Sequence, residues 1–116
     1  MKLLPALKQK KRYLVFEVIA DKSFSFSDIS EQIEKDLLLF WGHLGLSRAV
    51  PMFVKEKFNK NTQRFLIKVN HKHVDELKAA LALSKSIKNT STIIKSIVTS
   101  GTLKKASTYL IKSKSQ

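Results

Sequence analysis

The chain has 116 residues, of which 22 are lysine or arginine and 9 are aspartate or glutamate, so its formal net charge is +13 at pH 7. This length predicts one domain, and the absence of cysteine excludes a disulfide framework, a thiolate nucleophile and Cys-ligated zinc. No unbroken apolar run is longer than the five residues from Leu37 to Trp41, which is far below the roughly 20 residues that span a bilayer. No targeting segment is recognisable, so we expect a cytoplasmic protein that makes no membrane contact.

The positive charge indicates a polyanionic partner, because an excess of this size on a small domain attracts polyanions at long range. Cations concentrate in the first twelve residues and in the last forty, whereas the acids cluster between Asp21 and Asp36. Such an uneven distribution favours an oriented binding module. Solubility alone would require a net charge of only about 2 to 8 in magnitude.

The first third of the chain predicts a strand and a helix behind a basic arm. Residues 1–11 contain Pro5 and several cations without a sustained period, and are predicted to be flexible. From Arg12 to Ala20, β-branched and aromatic residues alternate as in a central strand. The segment Ser23 to Ser27 predicts a loop that ends in a helix N-cap, and the helix that follows has its predicted C-cap at Gly45.

A β-hairpin and a second helix are predicted in the middle of the chain. The runs Met52 to Phe58 and Gln63 to Val69 alternate between apolar and polar residues, and residues 59–62 form a turn by composition. An amphipathic helix is predicted from about His73 to Leu83, where small alanines permit close packing on a sheet. The polar run Ser84 to Ser91 is predicted to be a loop.

The last third predicts a fourth strand from about Thr92 to Val98 and a short basic helix from Ser100 through Leu110. The element order is therefore β-α-β-β-α-β with an extra C-terminal helix. This order predicts an α+β, ferredoxin-like sandwich with the topology of an RNA-recognition motif. We expect the domain to span residues 12–112 and residues 113–116 to form a disordered tail.

The two main helices are predicted to cover one face of the sheet, over alternate residues of the first and third strands, and to leave the other face open. The open face would carry Tyr13, Val15, Glu17, Arg64, Leu66 and Lys68. Its mixed character favours a partner. The third strand lacks the glycine and the exposed rings on which an RNA-recognition motif stacks bases, so we do not expect that mode of binding.

Two glycine-containing segments are candidates for phosphate contact. Gly42 to Gly45 matches the GxxG of KH domains, but its place at the end of an apolar helix favours helix termination. Ser100 to Lys105 joins a strand end to a helix start, where exposed amides and two lysines would suit a phosphate. The same segment would also serve as an ordinary Ser/Thr cap, and both interpretations stay open.

Neither a metal centre nor an active site is predicted. His71 and His73 stand two residues apart, but no acid is spaced to supply a third ligand. The acids from Asp28 to Asp36 lie mostly on the polar side of the first helix, where charge is normally solvated. The sequence contains no glycine-rich phosphate loop, HExxH motif or nucleophile elbow.

The run Leu37 to Trp41 predicts a second contact surface on the first helix. Five consecutive apolar residues encircle a helix, yet a sheet covers only one stripe of it. The remainder is covered either by the C-terminal helix, through Leu103, Ala106 and Leu110, or by a protein partner, for which a tryptophan beside leucines is a typical anchor. The sequence leaves both alternatives open.

Four segments follow one another in the order and spacing of a known family: Lys10 to Val18, Trp41 to Ala49, Phe65 to Leu83 and Ser100 to Lys105. Together they resemble the archaeal ribonuclease P protein component 2 family, over about residues 10–105. The resemblance implies a protein subunit of a ribonucleoprotein that removes the 5′ leader of precursor tRNA. It also implies that the RNA subunit and its Mg²⁺ ions carry out the hydrolysis, so the protein itself is expected to bind no cofactor.

The implied partners are ribonuclease P RNA, ribonuclease P protein component 3 with other ribonuclease P proteins, and precursor tRNA through the complex. The predicted RNA-binding residues are Lys10, Lys11, Arg12, Arg48, Lys68, Lys104 and Lys105. The predicted protein-partner residues are Tyr13, Leu38, Trp41 and Leu66. No catalytic or metal-binding residue is predicted.

Three other functions are alternatives from the sequence. A stand-alone RNA-binding or assembly protein, without a role in tRNA 5′ processing, would share the charge of this chain. A protein nuclease would cleave precursor tRNA without an RNA subunit. A small-molecule regulatory module would need glycine-rich turns, which a chain with three glycines hardly supplies.

Overall fold

The computed structural model of this protein describes residues 10–111. The predicted tail and all but the last two residues of the predicted arm lie outside that range. The helices and strands in chain order are β1 (Lys11–Ile19), α1 (Phe26–Ala49), β2 (Met52–Phe53), β3 (Arg64–Asn70), α2 (Val74–Ala82), β4 (Ser86–Ile87), β5 (Thr90–Ser91), β6 (Ile93–Ser100) and α3 (Leu103–Ser107). Short 3₁₀ turns span Lys55–Lys57 and His71–His73.

Four strands form one antiparallel sheet in the order β2-β3-β1-β6. The predicted α+β class and ferredoxin-like order are therefore confirmed. Strands β4 and β5 form a separate two-stranded hairpin inside the segment predicted to be a loop. Its two turn residues, Lys88 and Asn89, have φ of 51° and 64°, as a tight hairpin turn requires.

The core beneath α1 and α2 is formed as predicted by alternate residues of β1 and β3. Phe16 of β1 and Phe65 of β3 lie opposite each other, with ring centroids 5.6 Å apart. The helix α1 contributes Ile29, Ile33 and Leu37 to the same cluster. Helix residues spaced three and four apart therefore pack against alternate strand residues in one core.

The second sheet face is not open, contrary to the prediction, because α3 and the residues after it cover it. Val15 and Leu66 are completely buried in a cluster with Ala106 and Leu110. Nε of Arg64 lies 3.2 Å from Oε1 of Glu17, which is also on this face.

Two hydrogen bonds attach the last described turn of the chain to the sheet. Nη1 of Arg64 donates to the carbonyl oxygen of Tyr109. The hydroxyl of Thr62, just before β3, donates to the carbonyl oxygen of Leu110 at 2.7 Å. Glu17 and Arg64, which were predicted to face a partner, are thus used within the fold.

Helix α1 differs from its prediction at both ends. Its N-cap is Ser25, whose hydroxyl accepts from the amide of Asp28 at 3.2 Å. The helix continues past Gly45 to Ala49, with a kink at Gly42, where φ is 71°. The prediction of a C-cap at Gly45 is wrong, because the left-handed cap is Val50, with φ of 49°.

The hairpin from β2 to β3 is shorter than predicted but turns where expected. Strand β2 ends at Phe53, and a 3₁₀ turn replaces the remainder of the predicted strand. Oδ1 of Asn59 accepts from the amides of Asn61 and Thr62, at 2.9 and 3.2 Å. Asparagine thus organises the turn through its own side chain, as the composition suggested. Within residues 10–111, no helix is both long and apolar enough to cross a membrane.

Candidate nucleic-acid interface

The strand register brings the predicted cations of β1 and β3 to the same end of the sheet. Strand β1 begins where β3 ends, since Lys11 pairs with Asn70 and Tyr13 pairs with Lys68. The amide of His71 donates to the carbonyl oxygen of Lys10 at 3.0 Å, which extends this pairing by one residue. Lys10, Lys11 and Lys68, although distant in sequence, are therefore neighbours in space.

The two lysines of α3 lie at the same end of the molecule. Strand β6 also ends there, because Tyr13 pairs with Ser100 on its other side. A Cβ placed on Gly101 would lie 3.9 Å from Nη1 of Arg12, so that guanidinium borders the loop into α3. From this loop α3 runs back along the sheet, which leaves Lys104 and Lys105 in its first turn, near the start of β1.

Arg48 joins this group through the end of α1. Its carbonyl oxygen lies 3.5 Å from Nδ2 of Asn70, the last residue of β3. The side chain of Arg48 is exposed. All seven predicted RNA-binding residues are thus brought together at one end of the sheet.

The structure adds Lys72, an exposed residue of the turn His71–His73, to this group. In the sequence, this segment drew attention only for possible metal ligands, although a cation directly after β3 is a signal that it belongs with the start of β1. We call the combined surface the basic end. It consists of Lys10, Lys11, Arg12, Arg48, Lys68, Lys72, Lys104 and Lys105.

The charges of the basic end are available to a ligand. Among residues 10–111, the ion pairs use other cations, namely Arg64, His73 and Lys88. Desolvation is the largest cause that lowers the pKa of His71 below its ordinary value. The further causes are the positive charges of Arg12, Lys72 and Lys10, which lie near His71.

The segment before α3 is a Ser/Thr cap. Oγ of Ser100 accepts from the amide of Thr102 at 3.1 Å, and Oγ1 of Thr102 accepts from the amide of Lys105 at 3.3 Å. Two amides that a phosphate would need are therefore already satisfied by the chain itself. Of the two interpretations left open by the sequence, the geometry favours capping.

The apolar surface of α1 is not covered by the C-terminal helix, because α3 lies on the opposite face of the sheet. That alternative is wrong. Around the kink, the exposed large apolar side chains include Leu39, at 85% exposure, and Leu44, at 65%. A groove of about 700 Å³ between α1 and β2, lined partly by Leu38 and Met52, borders this surface.

The four predicted protein-partner residues fall into different environments. Leu38 is exposed on α1, and Tyr13 is half-buried beside α3. Leu66 has no exposed surface, so its prediction as a partner contact is corrected: α3 covers the face on which it lies. Trp41 is half-buried, and its indole nitrogen has a partner within the chain.

That partner is Glu76 in the first turn of α2. Nε1 of Trp41 donates to Oε1 of Glu76 at 2.8 Å, and Nδ1 of His73 lies 2.8 Å from the same oxygen. The hydrogen bond from His73 is the largest cause that lowers the pKa of Glu76, followed by the one from Trp41. Both contacts favour the carboxylate form, which accepts hydrogen bonds but cannot donate them.

This chain is similar to known proteins over most of its length. A family model described as the Rpp14/Pop5 family matches residues 12–111. The protein named ribonuclease P protein component 2 of Thermococcus kodakarensis is 35% identical over 103 residues, which cover 89% of this chain and 84% of that protein. The protein of the same name from Pyrococcus furiosus is 36% identical with the same coverage.

A more distant relative has the same name, and a solved structure has the same fold. The ribonuclease P protein component 2 of Methanocaldococcus jannaschii is 31% identical over 90% of this chain and 75% of its own length. A chain in the structure of yeast ribonuclease MRP has the same fold, with a TM-score of 0.63 over 89% of this chain and 79% of that chain, at 12% identity.

Proposed function

The chain belongs to the Rpp14/Pop5 family, and from this premise we propose that it is a protein subunit of ribonuclease P. In that role it supports the catalytic RNA in removing the 5′ leader from precursor tRNA, an endonucleolytic hydrolysis of one phosphodiester bond. The observation that carries the proposal is the basic end, where eight cations from β1, α1, β3, the turn after it and α3 converge.

The basic end would act by neutralising RNA phosphates that are crowded together in the folded ribozyme. Each lysine or arginine that contacts a phosphate releases counterions and lowers the repulsion between nearby strands. The RNA would then fold and cleave at a lower magnesium concentration than it needs alone. Arg12 and Arg48 present a planar fork that suits a phosphate, whereas the lysines act as point charges.

The chemistry is assigned to the RNA subunit and its Mg²⁺ ions, and the protein is assigned a supporting role. Within residues 10–111 no group of three His, Asp or Glu side chains comes together that would hold a metal ion. The location in the cytoplasm stays a prediction.

Protein partners are proposed to bind the helical face of the molecule, which lies opposite the face that α3 covers. Leu38 and Leu39 on α1 form an exposed apolar surface that the fold leaves without cover among the described residues. Such a surface suits a protein better than RNA, since RNA presents charged phosphates and not an apolar face. We propose component 3 as the first partner, other ribonuclease P proteins as further ones, and precursor tRNA as a partner through the complex.

Reconstitution of the holoenzyme tests the proposal. Cleavage of precursor tRNA is measured with the cognate RNA subunit and the other protein subunits, with and without this chain, over a series of Mg²⁺ concentrations. We expect omission of the chain to raise the Mg²⁺ concentration that half-maximal cleavage requires. An unchanged magnesium dependence would contradict the proposal. Cleavage by the chain without any RNA subunit would support the alternative of a protein nuclease.

A further inference from the structure

Arg48 and Lys72 of the basic end lie on either side of one buried side chain, that of Asn70. Oδ1 of Asn70 accepts from the amide of Lys72 at 3.0 Å and so caps the turn His71–His73. Nδ2 of the same residue lies 3.5 Å from the carbonyl oxygen of Arg48, which is long for a hydrogen bond. Asn70 thus brings the two cations together but holds Arg48 only weakly.

The kink in α1 makes the position of Arg48 depend on further contacts. At Gly42 the backbone leaves the helical conformation, so the residues before it do not by themselves fix the direction of the segment that carries Arg48. Trp41 is the last residue before the kink. The next turn lies directly against it, since a Cβ on Gly45 would lie 2.8 Å from Cβ of Trp41.

Glu76 links Trp41 to the turn that carries Lys72. One oxygen of Glu76 contacts both Nε1 of Trp41 and Nδ1 of His73, each at 2.8 Å, and the two rings meet edge to face with centroids 6.2 Å apart. Because a carboxylate only accepts hydrogen bonds, His73 must carry a hydrogen on Nδ1. This contact therefore also fixes the tautomer of His73 when its ring is neutral.

We propose that Glu76 is a positioning residue for RNA binding: it holds Trp41, and through Trp41 the turn at Gly45, against the turn His71–His73, and thereby presents Arg48 and Lys72 as a pair of phosphate contacts. The inference rests on the proposed function. A cation on a fixed backbone loses less freedom on binding than one on a mobile segment. The carboxylate of Glu76 is ionised at neutral pH and can accept both hydrogen bonds, and these bonds lower its pKa further.

The direction in which Glu76→Ala changes RNA affinity distinguishes a positioning role from a simple effect of charge. Removing an acid from a protein of net charge +13 should strengthen its attraction to RNA. If Glu76 positions two cations, Glu76→Ala should instead weaken binding. Asp75→Ala is the matched control, because Asp75 is an exposed acid in the same first turn of α2.

The experiment measures binding of the full-length chain to fluorescently labelled cognate ribonuclease P RNA at constant salt. We expect Glu76→Ala to raise the dissociation constant by about 2-fold to 12-fold, the range for one long side chain that must be ordered on binding. Asp75→Ala should leave it equal or lower it. Glu76→Gln keeps an acceptor oxygen and should bind at least as tightly as the wild type.

Nuclear magnetic resonance shows whether the contact itself is lost. Trp41 is the only tryptophan of the chain, so its indole N–H gives a single signal. We expect Glu76→Ala to move this signal and to release the Nδ1–H tautomer of His73, and Asp75→Ala to leave both unchanged. Lys72→Ala should lower the slope of log affinity against log salt by about 0.7 to 0.9, the value for one phosphate contact.

Either of two results would overturn this inference without contradicting the proposed function. One is a moved indole signal in Glu76→Ala with RNA affinity no weaker than that of Asp75→Ala. The other is an indole signal that Glu76→Ala does not move, because the contact would then be absent in solution. If the wild-type chain does not bind the RNA, the proposed function fails and the inference fails with it.

Discussion

Arg64 and Glu17 form an ion pair in the interior, with Nε and Oε1 3.2 Å apart and the two residues 4% and 2% exposed. Arg64→Ala should lower the free energy of unfolding by about 3 to 5 kcal/mol, because it leaves a buried carboxylate without its cation. It also removes the hydrogen bond to the carbonyl of Tyr109. Urea denaturation measures the loss, and Lys35→Ala, at an exposed lysine of α1, is the control. A loss no larger than that of the control would contradict the structural role of the pair.

His71 predicts a pH dependence of RNA binding. Desolvation and then neighbouring cations lower its pKa below the ordinary value of 6.5, so the free protein holds the ring mainly neutral at neutral pH. RNA phosphates at the basic end would oppose those cations and raise the pKa. The pKa is then higher in the complex than in the free protein, so affinity should rise as pH falls through the interval between the two values.

Binding to labelled RNA from pH 5.5 to 8 measures this dependence. We expect His71→Gln to bind with a weaker pH dependence than the wild type, and the difference between the two to isolate His71 from His43 and His73. Identical pH profiles would show that no phosphate approaches His71. The stability of the free protein depends on pH in a different way. Because the pKa of His71 is lowered in the folded state, the unfolded chain binds the proton more readily, and the folded state loses stability as pH falls below 6.5.

At the scale of single residues, the sequence was sufficient to locate the charged surface but not to tell which residues are buried. The seven predicted RNA-binding residues converge, because β1 begins where β3 and β6 end and the remaining cations lie at helix ends beside that edge. Leu66 was assigned to a partner because alternation shows which face a residue lies on. It does not show what covers that face, and a short helix did so.

The kink of α1 predicts a specific sensitivity at Gly42. Its φ of 71° and ψ of 177° lie in a region that only glycine adopts readily, and no other atom would crowd an added Cβ. Gly42→Ala should therefore lower the free energy of unfolding by about 1 to 3 kcal/mol through backbone strain alone. Gly101→Ala is the matched control, since its φ is not positive and its nearest contact would be an ordinary 3.9 Å. Urea denaturation of both variants checks the difference. Equal free energies of unfolding in the two variants would contradict the positive φ at the kink.

At the scale of elements, periodicity located α1, α2 and the long strands, but local signals misplaced their ends. Gly45 looked like a C-cap because glycine often ends helices, whereas here it lets the chain pass close to Trp41. The β4–β5 hairpin escaped prediction because its turn uses Lys88 and Asn89 in the left-handed region without a glycine. Such choices depend on tertiary contacts that a local pattern does not contain.

The positive charge of the molecule is unevenly distributed along its sheet. The start of α1 lies at the end opposite to the basic end, because the Gln63 side chain, just before β3, bonds the backbone of Phe24. Asp28 and Glu31 lie near that start, each 3.7 Å from Nζ of Lys88. Strand β3 separates the two ends by about 20 Å, at roughly 3.3 Å per residue. An approaching RNA would therefore be oriented before it makes contact.

This uneven distribution of charge predicts that the position of a lysine, and not only the net charge, determines how RNA binding depends on salt. The double variant Lys104→Ala/Lys105→Ala should reduce the slope of log affinity against log salt by about 1.4 to 1.8, since each lost phosphate contact contributes about 0.7 to 0.9. Lys35→Ala/Lys88→Ala removes the same charge beside the acids of α1 and should leave the slope nearly unchanged. Titrations of labelled ribonuclease P RNA at several salt concentrations measure both slopes. Equal reductions would mean that RNA responds to the total charge of the protein, and an unchanged slope in the first variant would remove α3 from the basic end.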